Sequence, residues 1–244
     1  MDQNKAIKFL YNLSSKLNKF YKSNSKKKLI INNKSKRKKI FNPVTNFDKS
    51  FEKMIRAYIV KSFPNDGIIG EEFKEKKTKN KNYWIIDPID GTKAFVAGLP
   101  TWSNLVGMIY KKKSIIGMAN FPELKKTYIS YNNTSYILDK NKKKKLKTNS
   151  VTNFKKTKIL CNFHNQNKNL KILKKLDKLN KNISRITLDA FSYCLLAEGK
   201  LDAVIESNLK IYDVAAIIPI VENAGGFITT WNNKNAEKAG NILA

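Results

Sequence analysis

The sequence predicts a mixed α+β fold, and three features of the chain support this prediction. Apolar residues recur at helical spacing in the first 60 residues, short β-rich segments follow one another from Trp102 to Asp139, and strands alternate with helices after about residue 155. With 244 residues and 41% hydrophobic side chains, the chain can bury a substantial core. We divide it into an N-terminal α+β part (residues 1–140) and a C-terminal α/β part (residues 141–244) that form one compact unit.

The N-terminal part begins with two predicted helices. The first covers residues 3–22 and the second starts near residue 46, with a strand, an exposed loop and a second strand between them. The apolar faces of the two helices comprise Leu10, Leu13, Leu17 and Phe20 in the first, and Phe47, Phe51, Met54, Ile55 and Tyr58 in the second. A short strand at Ile68–Ile69 and an apolar strand that ends at Ile86 follow.

The segment from Trp102 to Asp139 predicts an antiparallel sheet, because its β-rich stretches are separated by Lys, Asn or Pro turn signals. The lysine run Lys142–Lys145 is interpreted as a solvated turn or loop. The C-terminal part alternates strands and helices. Its predicted strands are Lys158–Cys161, Ile186–Leu188, Ala203–Glu206 and Phe227–Trp231, and its predicted helices cover about 167–180, about 191–198 and Val214–Asn223.

The chain is strongly basic, with 48 Lys and Arg residues against 19 Asp and Glu residues and a net charge of +29. One interpretation is a protein that binds a polyanion, and the other is a lysine-rich composition without a dedicated partner. We favour the second, because specific base readout favours Arg and because aromatic residues do not interleave with the lysine runs. We therefore expect no specific nucleic-acid partner, although the positive field would attract an anionic substrate.

We expect a cytoplasmic protein with no membrane partner. The N-terminus has no apolar segment typical of a signal peptide, and the longest apolar run is too short to span a bilayer. Cys161 and Cys194 have no metal or disulfide spacing. We interpret Cys194 as a packing residue and the one histidine, His164, as a surface or loop residue.

The segment W-I-I-D-P-I-D-G-T at residues 84–92 is the main candidate for chemistry. Asp87 and Asp90 follow a buried strand, and two carboxylates this close repel each other unless a cation holds them. Pro88 restricts the backbone between them, and hard oxygen ligands of this kind suit Mg²⁺. Gly91 and Thr92 would open a helix whose free N–H groups bind an anion. The alternative is an Asx turn and helix cap without a metal.

Further acidic motifs complete a family pattern. G-E-E at 70–72, the segment at 84–92 and Y-D-V-A-A-I-I-P-I-V-E-N-A-G-G at 212–226 resemble, in this order, the inositol monophosphatase family, and V-T-N-F-D at 44–48 resembles its upstream V-T-x-x-D element. The resemblance runs from about residue 3 to residue 231. It implies a layered αβαβα sandwich of the sugar-phosphatase type, a Mg²⁺-dependent phosphomonoesterase activity, and a homodimer.

The resemblance also implies roles for single residues. Two or three Mg²⁺ ions would bind per site, the first through Glu71, Asp87 and the Ile89 carbonyl and the second through Asp87, Asp90 and Asp213. Glu71 and Thr92, with Asp48 nearby, would be catalytic and would orient and deprotonate the attacking water. The backbone of Gly91 and Thr92 would bind the phosphate. The implied mechanism is direct in-line attack by metal-activated water, with no phosphoenzyme.

The segment A-F-V-A-G-L-P-T-W at residues 94–102 resembles the histidinol-phosphatase branch of the family. Glu206 and Asp189 would contact the substrate, because carboxylates pair with the ammonium and imidazole of histidinol phosphate. For Asp189 a helix N-cap is an equal alternative. We therefore predict hydrolysis of histidinol phosphate, a step of histidine biosynthesis. The alternatives are an inositol-1-phosphate or broader sugar or nucleotide phosphatase and, from another class, a non-enzymatic polyanion-binding protein.

The sequence departs from the family pattern in two places. The histidinol branch often has Gly-Gly-Asp-Cys-Tyr where this chain has T-L-D-A-F at residues 187–191, which leaves the shape of the substrate pocket open. The family usually continues beyond the Phe227–Trp231 strand with another strand and a closing helix. This sequence stops at Ala244, so we expect a truncated C-terminus.

Overall fold

Two sheets and the helices on their faces form the framework of the molecule. A computed structural model describes residues 3–35, 41–140, 142–163, 174–178, 182–186 and 188–244. The named helices are α1 (Gln3–Asn24), α2 (Asn46–Ser62), α3 (Thr92–Val96), α4 (Ala190–Ala197), α5 (Ile211–Val214) and α6 (Ile217–Glu222). Residues 174–178 are also helical, and Phe154–Lys156 and Ala236–Lys238 form 3₁₀ turns.

Fourteen named strands form three sheets in the described part of the chain. The strands are β1 (Ile31–Asn33), β2 (Pro43–Thr45), β3 (Gly67–Gly70), β4 (Asn82–Asp90), β5 (Ser103–Tyr110), β6 (Lys113–Phe121), β7 (Lys126–Tyr131), β8 (Thr134–Asp139), β9 (Lys142–Lys145), β10 (Ile159–Phe163), β11 (Ile183–Ser184), β12 (Ala203–Leu209), β13 (Thr229–Thr230) and β14 (Gly240–Leu243). Strands β3 to β9 form one sheet in sequence order, antiparallel except for the parallel β3–β4 pair. The second sheet has the order β11-β10-β12-β14-β13, and β1 pairs with β2 separately.

The layers alternate between helices and sheets. Helices α1 and α2 cover one face of the seven-stranded sheet, where Leu10, Leu13 and Phe51 belong to the same buried cluster as Trp84. Helices α4 and α6 lie between the two sheets, and their residues Tyr193 and Ile217 belong to the same buried cluster as strand residues from both parts of the chain. On the other face of the five-stranded sheet, Leu176 from the 174–178 helix packs against Ile159 and Cys161. This is the αβαβα sandwich predicted above.

Close packing holds helix α6 against the large sheet. A Cβ atom at Gly117 of β6 would overlap the Ala216 carbonyl, and one at Gly107 of β5 would lie 2.8 Å from the Ala215 carbonyl carbon. Only glycine lets the backbone approach the sheet this closely. The start of this helical segment, which carries Asp213, is thereby placed over the end of β5 and β4.

Several local predictions were wrong. Lys142–Lys145 is not a loop but the edge strand β9, since its backbone pairs with β8 while all four side chains remain exposed. The strand predicted at Ile186–Leu188 lies at Ile183–Ser184 instead, where it pairs with β10. The single helix predicted at Val214–Asn223 is two short helices, α5 and α6, and the strand predicted at Phe227–Trp231 is reduced to Thr229–Thr230.

Other local predictions were confirmed or lie outside the described residues. Both opening helices are present, and Cys194 is fully buried as a packing residue. One expectation was wrong: the further strand that the sequence was expected to lack after Phe227–Trp231 is present as β14, which pairs with both β12 and β13. The predicted helix at about 167–180 is described only at residues 174–178, and His164 is outside the described residues. Among the described helices, none has the length and apolar character needed to cross a membrane.

Candidate active site

The acidic motifs meet at one edge of the seven-stranded sheet. Strands β3 and β4 are parallel, and Gly70 lies opposite Ile86. The residues that follow these two positions, Glu71 and Asp87, therefore emerge at the same edge. This register explains why two motifs sixteen residues apart in sequence belong to one site.

A β-bulge in β4 brings Asp87 and Asp90 to the same side. Asp87 pairs with Leu105 and Asp90 pairs with Ser103, so β4 has one extra residue between these two positions. In a regular strand, residues three apart face opposite sides of the sheet, and the extra residue reverses this for Asp90. Pro88 is tolerated here because bulges leave an N–H without a ladder partner. Its carbonyl accepts a 2.6 Å hydrogen bond from the Asn104 side chain.

Three carboxylates converge at this bulge. Asp87, Asp90 and Asp213 each offer an oxygen atom, and these atoms all lie within 4.8 Å of one another. Asp87 and Asp90 are almost fully buried. Asp213 is brought in by helix α5, where the Lys210 N–H donates a 2.6 Å hydrogen bond to its Oδ2.

Backbone groups orient the two aspartates of β4. The Ile89 N–H donates to Asp87 Oδ1 at 3.0 Å, and the Ala190 N–H donates to Asp90 Oδ2 at 2.8 Å. The first bond is the Asx turn considered as the alternative to a metal site. This hydrogen bond uses only one oxygen of Asp87, and Asp87 also belongs to the group of three carboxylates. The Asx turn and the carboxylate cluster are therefore both present.

The cluster is electrostatically costly without a cation. Burial, and then repulsion from neighbouring carboxylates, raise the pKa of Asp87 and of Asp90 well above its usual range. Burial also raises the pKa of Asp213 to about 7, although the hydrogen bond from Lys210 opposes this. A donor set of hard carboxylate oxygens whose charges oppose one another fits a divalent cation such as Mg²⁺.

Asp48 lies beside this cluster at the start of helix α2. Its Oδ2 accepts hydrogen bonds from both the N–H and the hydroxyl of Thr45, each at 2.6 Å, in a capping box. Its Oδ1 lies 3.5 Å from the Thr92 hydroxyl, which donates a 3.0 Å hydrogen bond to the Ile89 carbonyl. The helix cap therefore holds Asp48 with one oxygen directed towards Thr92. Burial raises the pKa of Asp48 to about 6.

Glu71 lies just outside the three-carboxylate group in the described structure. Its Oε1 forms an ion pair with Lys34 Nζ at 2.9 Å, and Lys34 also contacts Glu72. Repulsion from Glu71 nevertheless contributes to the raised pKa of Asp87, so the two carboxylates belong to one electrostatic cluster.

Sequence reasoning missed Glu52, which supports this turn. Glu52 is fully buried on α2, one helical turn after Asp48, and it pairs with Arg56 at 2.7 Å. Its second oxygen accepts the Glu72 N–H at 2.7 Å. A Cβ atom at Gly70 would overlap Glu52 Oε1, so the glycine is needed for this contact. The signal available in the sequence was the position of Glu52: it lies four residues after Asp48, on a helix face that is otherwise apolar.

Glu206 and Asp189 border the other side of the cluster. Glu206 is 3% exposed on β12 and accepts a 2.9 Å hydrogen bond from the Asn162 side chain. Burial and the neighbouring Asp189 raise the pKa of Glu206 to about 8. Burial raises the pKa of Asp189 to about 6, and Lys93 opposes this shift.

The helix-cap alternative for Asp189 was confirmed for its position but not for its side chain. Asp189 occupies the N-cap position of α4, but its side chain makes no capping hydrogen bond. Its Oδ2 instead lies close to the Gly91 backbone, where a Cβ atom would be only 2.9 Å away. Gly91 has φ +80°, so glycine satisfies both the left-handed conformation and the close approach.

Comparisons with known proteins show the family of this chain. The sequence profile of the inositol monophosphatase family matches residues 2–244, so the chain belongs to that family. The bifunctional phosphatase IMPL2 (chloroplastic) of Arabidopsis thaliana is 32% identical over 196 residues, which cover 79% of this chain and 56% of that protein. The histidinol-phosphatase of Mycobacterium tuberculosis is 28% identical over 206 residues, which cover 83% of this chain and 79% of that protein.

The fold has close structural neighbours. The crystal structure of staphylococcal IMPase-I complexed with products superposes with a TM-score of 0.86 at 18% identity, over 100% of this chain and 92% of that one. Relatives with other names also match, among them the Nus factor SuhB of Pasteurella multocida, 30% identical over 78% of this chain and 72% of that protein. The names of the relatives therefore differ although the family is the same.

Proposed function

We propose that this chain is a Mg²⁺-dependent phosphomonoesterase whose substrate is histidinol phosphate. The observation that carries the proposal is the convergence of Asp87, Asp90 and Asp213 within 4.8 Å at the end of a buried strand. Membership of a phosphatase family supports the reaction class. The substrate rests on separate features, considered below.

The acidic cluster supplies the groups that would hold Mg²⁺. Asp87, Asp90 and Asp213 would bind one ion, and Asp87, Glu71 and the Ile89 carbonyl would bind another. Bound there, the ions would neutralise charge on the phosphoryl oxygens and make a water molecule more acidic. The bulge and the hydrogen bonds from Ile89 and Ala190 preorganise the aspartates, so little reorganisation is needed on binding.

Thr92 and Asp48 form a route for a proton. The Thr92 hydroxyl lies between the Ile89 carbonyl at 3.0 Å and Asp48 Oδ1 at 3.5 Å. Because Thr45 engages only Oδ2 of Asp48, the Oδ1 atom is placed to accept a proton passed through Thr92. With Glu71, these residues would orient the attacking water and remove its proton, while the N–H groups of Gly91 and Thr92 would face the phosphate.

Glu206 and Asp189 support histidinol phosphate over an inositol phosphate. Glu206 is buried and Asp189 is partly buried beside the cluster, and repulsion from Asp189 contributes to the raised pKa of Glu206. A substrate with an ammonium and an imidazole would offset this repulsion by charge-assisted hydrogen bonds, whereas an inositol ring offers only hydroxyl groups. The 94–102 segment, and relatives named as histidinol-phosphatases, support the same choice.

Two alternatives remain testable. An inositol-1-phosphatase or broader sugar or nucleotide phosphatase would use the same acidic cluster with another ester. A polyanion-binding protein would instead use the net charge of +29. Its nucleic-acid affinity should fall steeply with salt and should not change in an Asp90→Asn variant.

The test is phosphate release from histidinol phosphate and inositol-1-phosphate, measured in parallel with Mg²⁺ and with EDTA. We expect Mg²⁺-dependent release with a higher kcat/KM for histidinol phosphate. Glu206→Gln should lower kcat/KM for histidinol phosphate by about 10–100-fold and affect inositol-1-phosphate much less. Glu222→Gln, at the far end of α6, is the matched control. A preference for inositol-1-phosphate would refute the substrate, and no Mg²⁺-dependent release from any phosphate ester would refute the reaction class.

A further inference from the structure

Lys34 forms an ion pair at the edge of the acidic cluster. It directly follows β1, and its Nζ is 2.9 Å from Glu71 Oε1 and also contacts Glu72. No other lysine or arginine among the described residues forms an ion pair with Asp48, Glu71 or the three clustered aspartates. Under the proposed function Glu71 would bind a divalent cation, and in this structure Glu71 pairs with the ammonium of Lys34.

The two partners of this contact differ in how firmly they are held. The turn that carries Glu71 and Glu72 is fixed by Glu52, which accepts the N–H groups of Glu72 and Phe73. Strand β1, by contrast, is exposed and pairs only with β2 among the described strands. Lys34 is therefore the partner that can withdraw, while the two glutamates keep their place.

The ammonium is retained as a charged group in this position. Burial lowers the pKa of Lys34, but the hydrogen bonds to Glu72 and Glu71 outweigh burial, and the net shift is upward. The Lys34 side chain is 28% exposed and that of Glu72 only 4%. The contact is thus a partly buried ion pair, which salt screens less than an exposed one.

We propose that Lys34 acts as an internal substitute for a divalent cation at Glu71, so that an ion binds this carboxylate only by displacing the ammonium. The inference rests on the cation site of the proposed function. It predicts that the Glu71 position binds its ion more weakly than it would without Lys34, because binding there carries the cost of breaking the ion pair.

The test measures cation binding directly, without substrate. Free Mn²⁺ is followed by EPR during titration of the full chain in five forms: wild type, Lys34→Met, Glu71→Gln, the double variant Lys34→Met/Glu71→Gln, and Lys144→Met. Lys144 is an exposed lysine of β9, so its replacement changes the net charge equally without touching the cluster. Circular dichroism verifies that each variant is folded.

The expected result is that Lys34→Met lowers the Kd of the Mn²⁺ site that includes Glu71 about three- to fivefold, the size expected for a partly exposed ion pair. Lys144→Met should leave both sites unchanged. The gain should vanish in the Glu71→Gln background, because the carboxylate for which both cations compete is then absent.

Each other outcome is informative. An equal gain with and without Glu71 would show a general charge effect and overturn the proposal. So would weaker Mn²⁺ binding in Lys34→Met, since Lys34 would then orient Glu71 for the ion. Wild type that binds no Mn²⁺ would refute the cation site of the proposed function itself, which separates that failure from a failure of the Lys34 inference.

Discussion

Replacement of Glu206 by Gln should make the metal-free protein more stable, and increasingly so as the pH rises. Burial and Asp189 raise the pKa of Glu206 from an ordinary 4.5 to about 8. The folded state therefore keeps a proton that the unfolded state loses above pH 4.5. Since the folded state then binds more protons, the free energy of unfolding falls as the pH rises from 4.5 towards 8. Gln cannot ionise and can still accept the hydrogen bond from Asn162.

The magnitude follows from the same pKa values. At pH 7 about 2.5 pH units separate the solution from the ordinary pKa, and each unit corresponds to about 1.36 kcal/mol. The upper limit of the stabilisation is therefore about 3 kcal/mol at pH 7 and less than about 1 kcal/mol at pH 5. Relaxation around the carboxylate will reduce it, so we expect about 2 kcal/mol at pH 7.

The assay is urea denaturation in EDTA at pH 5, 7 and 8, with wild type, Glu206→Gln and Glu75→Gln. Glu75 is an exposed carboxylate, and its replacement should change stability little at any of these pH values. A difference between Glu206→Gln and wild type that stays constant with pH would refute the reasoning. A less stable variant at pH 8 would do the same.

Three further predictions concern the acidic cluster and its support. Asp90→Asn should reduce Mg²⁺-dependent phosphate release at least about 100-fold, because loss of a ligand should exceed the 10–100-fold that outer partners contribute; an active variant would exclude Asp90 as a ligand. Gly70→Ala should destabilise the fold by about 1–3 kcal/mol in urea, because its methyl group overlaps Glu52; no loss would show that Glu52 can move. Mg²⁺ should raise the Tm more at pH 8 than at pH 6, because Asp213, with a pKa of about 7, binds a cation only after it loses its proton. An equal or smaller rise at pH 8, measured by differential scanning fluorimetry, would contradict the raised pKa.

Local sequence determined most of the fold. The helical spacing of Leu10, Leu13 and Leu17 and the β-rich segments between Trp102 and Asp139 are short-range patterns, and the structure has the helices and strands that they predict. Composition did not predict the backbone conformation of Lys142–Lys145. These side chains are all solvated, as expected of a lysine run, but the backbone can still pair with β8 because an edge strand exposes its side chains.

The candidate site divides in the same way. Its residue types and their order along the chain were readable in D-P-I-D-G-T, G-E-E and Y-D-V-A-A, because each motif is local. Their geometry was not. Strand pairing forms the bulge that turns Asp90 to the side of Asp87, and helix packing brings Asp213 to them. Lys34 and Glu52 contact the 71–72 turn in the same way, from elements that are distant along the chain. The sequence by itself therefore determined which candidate oxygen ligands the protein carries, whereas only the tertiary structure decided which of these carboxylates lie together and which one pairs with Lys34. The physical reason is that register and packing are set by contacts between residues distant along the chain, and no local pattern records them.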